Sequence, residues 1–128
     1  MRLLLDTNII VWWLLDRARI SRAAHTAMSD ADNSVFASAA SAFEIAVKQR
    51  IGKLPLAEEA VRSLPEDLES VGIALLDISF RQAILAGRFA SAHRDPFDRL
   101  IAAQARAEDM PVVTSDPAFA GFGVKVIW

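Results

Sequence analysis

Four carboxylates are spread along this chain, at Asp6, Glu44, Asp98 and Asp116, each near a point where an apolar, strand-like run meets a helix-like one. If the runs pair as parallel strands, these points collect at one edge of one sheet, where open α/β folds keep their ligands. Uncompensated acids gathered there favour a divalent cation. One carboxylate makes a poor magnesium site, but two or more from separate elements can hold a hydrated ion or a pair of ions. Ions so held activate water and steady the oxygens of a phosphodiester during in-line displacement. The chemistry implied is metal-assisted hydrolysis of a phosphate ester.

Each acid also has a plainer explanation. Asp6 precedes a helix and could be its N-cap; Asp95, Pro96 and Asp98 at N-cap, N1 and N3 make a start resembling a capping box; Asp116 before Pro117 could cap a final turn. Glu44 has Lys48 at the favourable i, i+4 spacing, and an exposed pair there contributes only about 0.3–0.5 kcal/mol. Capping acids can lie at either end of a sheet, whereas these four are all expected at the C-terminal edge. Asp98 precedes its strand and reaches that edge only because its helix begins there. Other chemistries find little support. There is no GxxxxGK[ST] and no GxGxxG. Ser115 lacks the glycines of a nucleophile elbow, and His25 and His93 lie in polar segments expected to be exposed.

The elements that must position these acids alternate. RLLLD reads as a strand, followed by a polar triplet and then by Ile9, Ile10, Trp13 and Leu14 at helical spacing. Ser21 is placed to cap RAAHTAMSD, and Val35 to Ala37 form a second strand. In the next helix Phe43, Val47 and Ile51 form an apolar stripe, Ser41, Glu44 and Lys48 share another face, and Gly52 ends the run. LAEEAVRSLPEDLESVG reads as one or two surface helices broken near Pro65, and IALLDI as the third strand. Ser79 caps FRQAILAGRF, and Asp95-Pro96 opens a helix carrying Phe97, Leu100, Ile101 and Ala105. PVVTSD and KVIW supply the last strands. The fold class is α/β: one domain over residues 1–128, with a mostly parallel central sheet flanked by helices on both faces.

The chain has 128 residues, 53% of them hydrophobic, enough for one domain with a buried core. Without cysteine it has no disulfide, zinc thiolate or thiol nucleophile, so any metal is expected among hard oxygen ligands. That composition is compatible with a reducing compartment, and the cytoplasm is the expected location. No stretch is long enough to span a bilayer. A net charge of -2 gives no bulk attraction for nucleic acid, so such binding must come from local basic clusters or a bound cation.

The blocks LLLDTNIIVWWL, SAASAFEIAVKQRIGKL, HRDPFDRLIAAQA and VVTSDPAF, in this order and over nearly the whole chain, resemble PIN-domain ribonucleases and are similar to the VapC toxins of type II toxin-antitoxin modules. The resemblance implies a Mg2+- or Mn2+-dependent endoribonuclease site at Asp6, Glu44, Asp98 and Asp116, each a metal ligand or an orienter of water. Asp95 matches an accessory acid and stands second to Asp98. An RNA substrate, a cognate antitoxin and a homodimer are implied with them.

Thr7 and Asn8 offer polar groups at a helix start, suited to orienting Asp6 or contacting phosphate, or to ordinary turn chemistry. Thr114 and Ser115 could hold Asp116 or the water. Lys48, Lys53, Arg94 and Arg99 are candidate RNA phosphate contacts, against a simply solvated role. Trp12 and Trp13 face about 100° apart on a helix, so one is expected in the core and the other to anchor an antitoxin. Two alternatives stay open: an acidic phospho-acceptor module of receiver type, which DTN and the embedded Lys125 disfavour, and a non-catalytic PIN-like domain binding RNA or protein, which would be expected to have lost an acid.

Overall fold

The computed structural model describes residues 1–128. Five strands, β1 (Arg2–Leu5), β2 (Ser34–Ser38), β3 (Ile73–Leu76), β4 (Val112–Val113) and β5 (Val126–Ile127), pair in the order β3-β2-β1-β4-β5 with every pairing parallel. Seven α-helices connect them: α1 (Thr7–Leu15), α2 (Arg22–Ser29), α3 (Ala39–Arg50), α4 (Glu58–Arg62), α5 (Leu64–Ser70), α6 (Phe80–Arg88) and α7 (Pro96–Ala107). Short 3-10 turns cover Arg17–Arg19 and Pro117–Phe122. The expected mostly parallel sheet is thus wholly parallel. Its strand order differs from the 2-1-3-4-5 of receiver modules, which removes that alternative.

Strand alternation divides the core in two. Leu3, Leu5, Val35, Ala37 and Val113 pack on one face with residues of α1, α2, α3 and α5. Leu4 and Val112 pack on the other with Ile101, Ala102 and Ala105 of α7 and with Phe119 and Phe122. Helices therefore cover both faces, as the sequence pattern requires.

Several local expectations hold. Ser21 accepts from the Ala24 amide, Ser79 and Gln82 form a reciprocal capping box, and Gly52 follows α3 with φ +79. The Pro65 region does split into two helices; α4 has no buried residue, as expected of a surface helix, but Leu64 and Leu68 of α5 are buried, so α5 closes the core. The stripe on α3 is corrected. Phe43 and Ile51 are exposed, whereas Ser41, Glu44 and Ile45 point inward. Polar side chains occupy that inner face because it closes the crevice at the strand ends.

Candidate metal centre

The strand order reverses between β1 and β4, and the crevice lies outside their carboxyl ends. Asp6 follows β1 directly and Asp116 lies three residues beyond β4. Glu44 enters from α3, the helix that continues β2, and Asp98 from the first turn of α7. Four separate elements therefore supply the four acids. Three of them, Asp6, Glu44 and Asp98, are buried.

Asp6 stands at the N-cap position of α1 yet its side chain makes no capping bond. Instead Oδ2 accepts from the Thr114 hydroxyl at 2.8 Å. Burial pushes its pKa up to about 7; the Thr114 bond and the Thr7 amide act against burial, while the charges of Asp98 and Glu44 reinforce it. Thr114 also accepts from the Asp116 amide at 3.0 Å, so one buried hydroxyl ties the β1 and β4 acids together. Asp116 itself accepts from the Ala118 amide at 2.9 Å, which realises its capping role at the edge of the crevice.

Glu44 meets both of its readings. Oε2 lies 2.7 Å from Lys48 Nζ, the expected i, i+4 pair, but the carboxylate is only 7% exposed. Its Oε1 is buried with no hydrogen-bond partner. An orphaned carboxylate oxygen at this depth is costly to leave unmatched. Beside two further acids, it fits a cation. The donor set of Asp6, Glu44 and Asp98 therefore suits the hard divalent ion expected from sequence.

Asp98 carries a partner the sequence reading did not provide. His93 Nε2 lies 2.7 Å from Asp98 Oδ2, and His93, Asp98 and Asp116 present ligand atoms all within 4.8 Å of one another. His93 is half-buried rather than exposed, with its ring edge-on to Phe122 at 5.6 Å between centroids. Burial raises the Asp98 pKa, the His93 bond opposes that, and the neighbouring Asp95 charge adds to the rise. The same bond raises the pKa of His93. The signal available in the sequence was its place in HRDPFD, five residues before Asp98. His93 thus adds a nitrogen donor beside the carboxylate oxygens expected from sequence.

The remaining candidates separate. Asp95 caps α7, accepting from the Phe97 and Asp98 amides at 2.9 and 3.3 Å. Thr7 is buried and its hydroxyl meets Ser41 at 2.9 Å, while Asn8 and Ser115 are exposed. Lys53 and Arg94 are exposed. Lys48 is engaged by Glu44. Arg99 is not a free phosphate contact. Its guanidinium donates to the carbonyls of Ala86, Gly87, Phe89, Ser91 and His93 at 2.7 to 3.4 Å, which uses every donor it has. Trp12 and Trp13 are both half-buried, so neither lies fully in the core. Arg19 lies over the Trp12 ring at 4.5 Å and Arg17 over Trp13 at 4.1 Å. Behind the crevice, buried Gln104 accepts from the Ser38 hydroxyl and donates to the Asp77 carbonyl, joining α7 to the ends of β2 and β3. Apolar periodicity on α7 gave no sign of that bridge.

A sequence profile described as PIN domain matches residues 3–125. No curated protein matches the chain. Among solved structures, VapBC2 from Rickettsia felis, bound to a DNA fragment from its promoter, superposes with a TM-score of 0.73 at 19% identity, covering 98% of this chain and 97% of that one. VapBC-1 from nontypeable Haemophilus influenzae gives 0.73 at 18% identity, with 98% and 96% covered. FitAcB from Neisseria gonorrhoeae gives 0.64 at 23% identity, with 97% and 95% covered. At these identities the likeness is one of fold.

Proposed function

The chain belongs to the PIN domain family, and on that premise we propose that it is a divalent-metal-dependent endoribonuclease acting as the toxin of a type II toxin-antitoxin module. One observation carries the enzymatic reading: three buried acids from three elements converge, one with its pKa pushed to about 7 and one with an orphaned oxygen. A purely structural site would not concentrate like charge there. A PIN-like domain that only bound RNA or protein would have no need of all four acids.

Asp6, Glu44, Asp98 and Asp116 are the residues that would hold Mg2+ or Mn2+. Such an ion, when bound, supplies water activation and charge balance on the phosphate. The chain's own groups do the positioning. Thr114 fixes the Asp6 carboxylate and the Asp116 backbone, and the Thr7–Ser41 contact locks the start of α1 against α3. Asn8, Ser115, Lys53 and Arg94 are exposed and available to the RNA backbone.

The toxin role rests on the VapC resemblance and on the VapBC and FitAcB structural neighbours. An antitoxin would silence the acidic crevice with an Arg or Lys while an apolar segment packs beside α1. A groove of about 380 Å³, with Val11, Trp12, Leu15 and Leu54 beside the polar Asn8, Asp16 and Arg19, offers that seat. Phe43 on α3 and Phe80 and Ile84 on α6, all more than half exposed, support a homodimer. No helix is long and apolar enough to cross a membrane.

The test is cleavage of RNA by the purified chain with Mg2+ or Mn2+, with chelator and Asp6→Asn as controls. Cleavage that survives both controls, or its absence with either ion, would overturn the reading.

A further inference from the structure

Resting on the metal-site reading above, we propose that His93 is a ligand of that ion through Nε2, so that the centre takes a first-row transition ion in preference to Mg2+. The geometry is close to what ligation needs. Two cis ligands of an octahedral ion held at about 2.1 Å lie about 3 Å apart. His93 Nε2 and Asp98 Oδ2 are 2.7 Å apart, and the Asp116 carboxylate oxygen completes a set within 4.8 Å. A further separation of a few tenths of an ångström would make His93 Nε2 and Asp98 Oδ2 cis ligands of one ion. The buried Glu44 Oε1, without a hydrogen-bond partner, independently leaves an acceptor in this crevice that a cation would satisfy.

The imidazole is also built into place. Arg99 lies one residue from Asp98 and spends all five donors on the carbonyls of the α6 end and of the segment leading to His93, including the His93 carbonyl at 2.9 Å. Phe122 closes one side of the ring. The segment from the end of α6 to His93 is thereby pinned at five carbonyls, the last of them that of His93 itself. Arg99 is thus a positioning residue, and nitrogen in the ligand set turns selectivity away from Mg2+, which prefers oxygen alone.

The chain loaded with Mn2+ and examined by pulsed EPR should show the nitrogen modulation of a directly bound imidazole. His93→Gln should lose it, and calorimetry should show Mn2+ affinity falling at least ~10-fold with the preference over Mg2+ reduced. Arg99→Lys should weaken the modulation with the circular dichroism spectrum preserved, since one ammonium cannot span five carbonyls. Mn2+ bound without nitrogen modulation in the wild-type chain, or tighter binding by His93→Gln, would overturn the inference and leave His93 as a displaced counter-ion. Absence of any Mn2+ binding, with Asp98→Asn indistinguishable from wild type, would instead overturn the metal reading itself.

Discussion

Asp6 at the start of α1 and Asp95 at the start of α7 hold the same N-cap position, yet Asp95 caps its helix through two amides and Asp6 makes no capping bond. The difference lies across the sheet. Asp6 leaves the central strand and meets the buried Thr114 hydroxyl of the neighbouring strand end, whereas Asp95 follows a half-buried loop with only its own helix to serve. A helix start offers an acid a local use. Burial against a second strand withdraws that use and leaves the charge for a ligand.

Exchange of each acid for its amide gives the widest separation between the two starts. Asp6→Asn should abolish RNA cleavage and leave the fold intact. Asp95→Asn should keep most activity, because Asn caps as well as Asp. Equal loss in both variants, measured on one RNA with one metal, would place Asp95 among the ligands and dissolve the contrast.

Glu44 extends the comparison to α3. Glu44→Gln should remove most turnover, whereas Lys48→Met should leave turnover largely intact, since the Lys48 side chain is 37% exposed and its ammonium serves only the pair. Stability should fall more in Lys48→Met, which leaves the buried Glu44 carboxylate without its counter-ion, than in Glu44→Gln, which removes the charge. Unchanged turnover in Glu44→Gln would reduce the pair to a structural one.

The pH response sets the crevice apart from the capping acids. The Asp6 carboxyl, raised from 3.8 to about 7, contributes stability that is full below pH 3.8 and lost as pH rises through about 7. Asp98, also raised, acts in the same direction. His93, raised from 6.5, contributes fully below that pH and loses its contribution above it as pH passes its raised value. Metal-free chain should therefore lose thermal stability from about pH 4 towards neutrality, and a divalent ion should restore it. A metal-free Tm that rises over that interval would contradict the burial of these groups.

Much of this contrast was legible before the structure. Ordered motifs and strand-helix alternation located all four acids, the α/β class and the caps at Ser21, Ser79 and Asp95. What stayed hidden depends on how segments distant in sequence, or bent by a loop, fold back. His93 reaches Asp98 only through the turn that Arg99 holds. Gln104 reads as one more residue of α7 until Ser38 and Asp77 are brought to it. The α3 stripe misled because apolar periodicity marks the core face only where the opposing surface is apolar, and here that surface is the crevice. The last two strands, two residues each, are shorter than PVVTSD and KVIW suggest, because only Val112–Val113 and Val126–Ile127 pair in the ladder.

Thr114 is the residue on which the Asp6 side of the comparison turns. Thr114→Val keeps the shape but removes a donor to Asp6 and an acceptor for the Asp116 amide. Leaving buried partners unmatched should cost about 1–3 kcal/mol in the metal-free chain. Loss of the bond that pulls Asp6 down should also move the acidic limb of the activity profile to higher pH. Calorimetry and a pH-rate series check both, and an unshifted limb would mean that Thr114 does not set the Asp6 charge.

The smallest effect is expected at Asp95, where the whole role is local. Asp95→Ala deletes the acceptor for the Phe97 and Asp98 amides and should lower stability by about 1 kcal/mol, the ordinary worth of an N-cap, while Asp95→Asn should recover nearly all of it. The Asp95 charge also helps to raise Asp98, so both variants should let Asp98 ionise at somewhat lower pH. Metal binding followed against pH should then begin earlier in both variants by a similar amount, although only one has lost its cap. If the onset instead followed the stability, moving in the Ala variant alone, Asp95 would act on the centre by holding the helix start rather than through its charge.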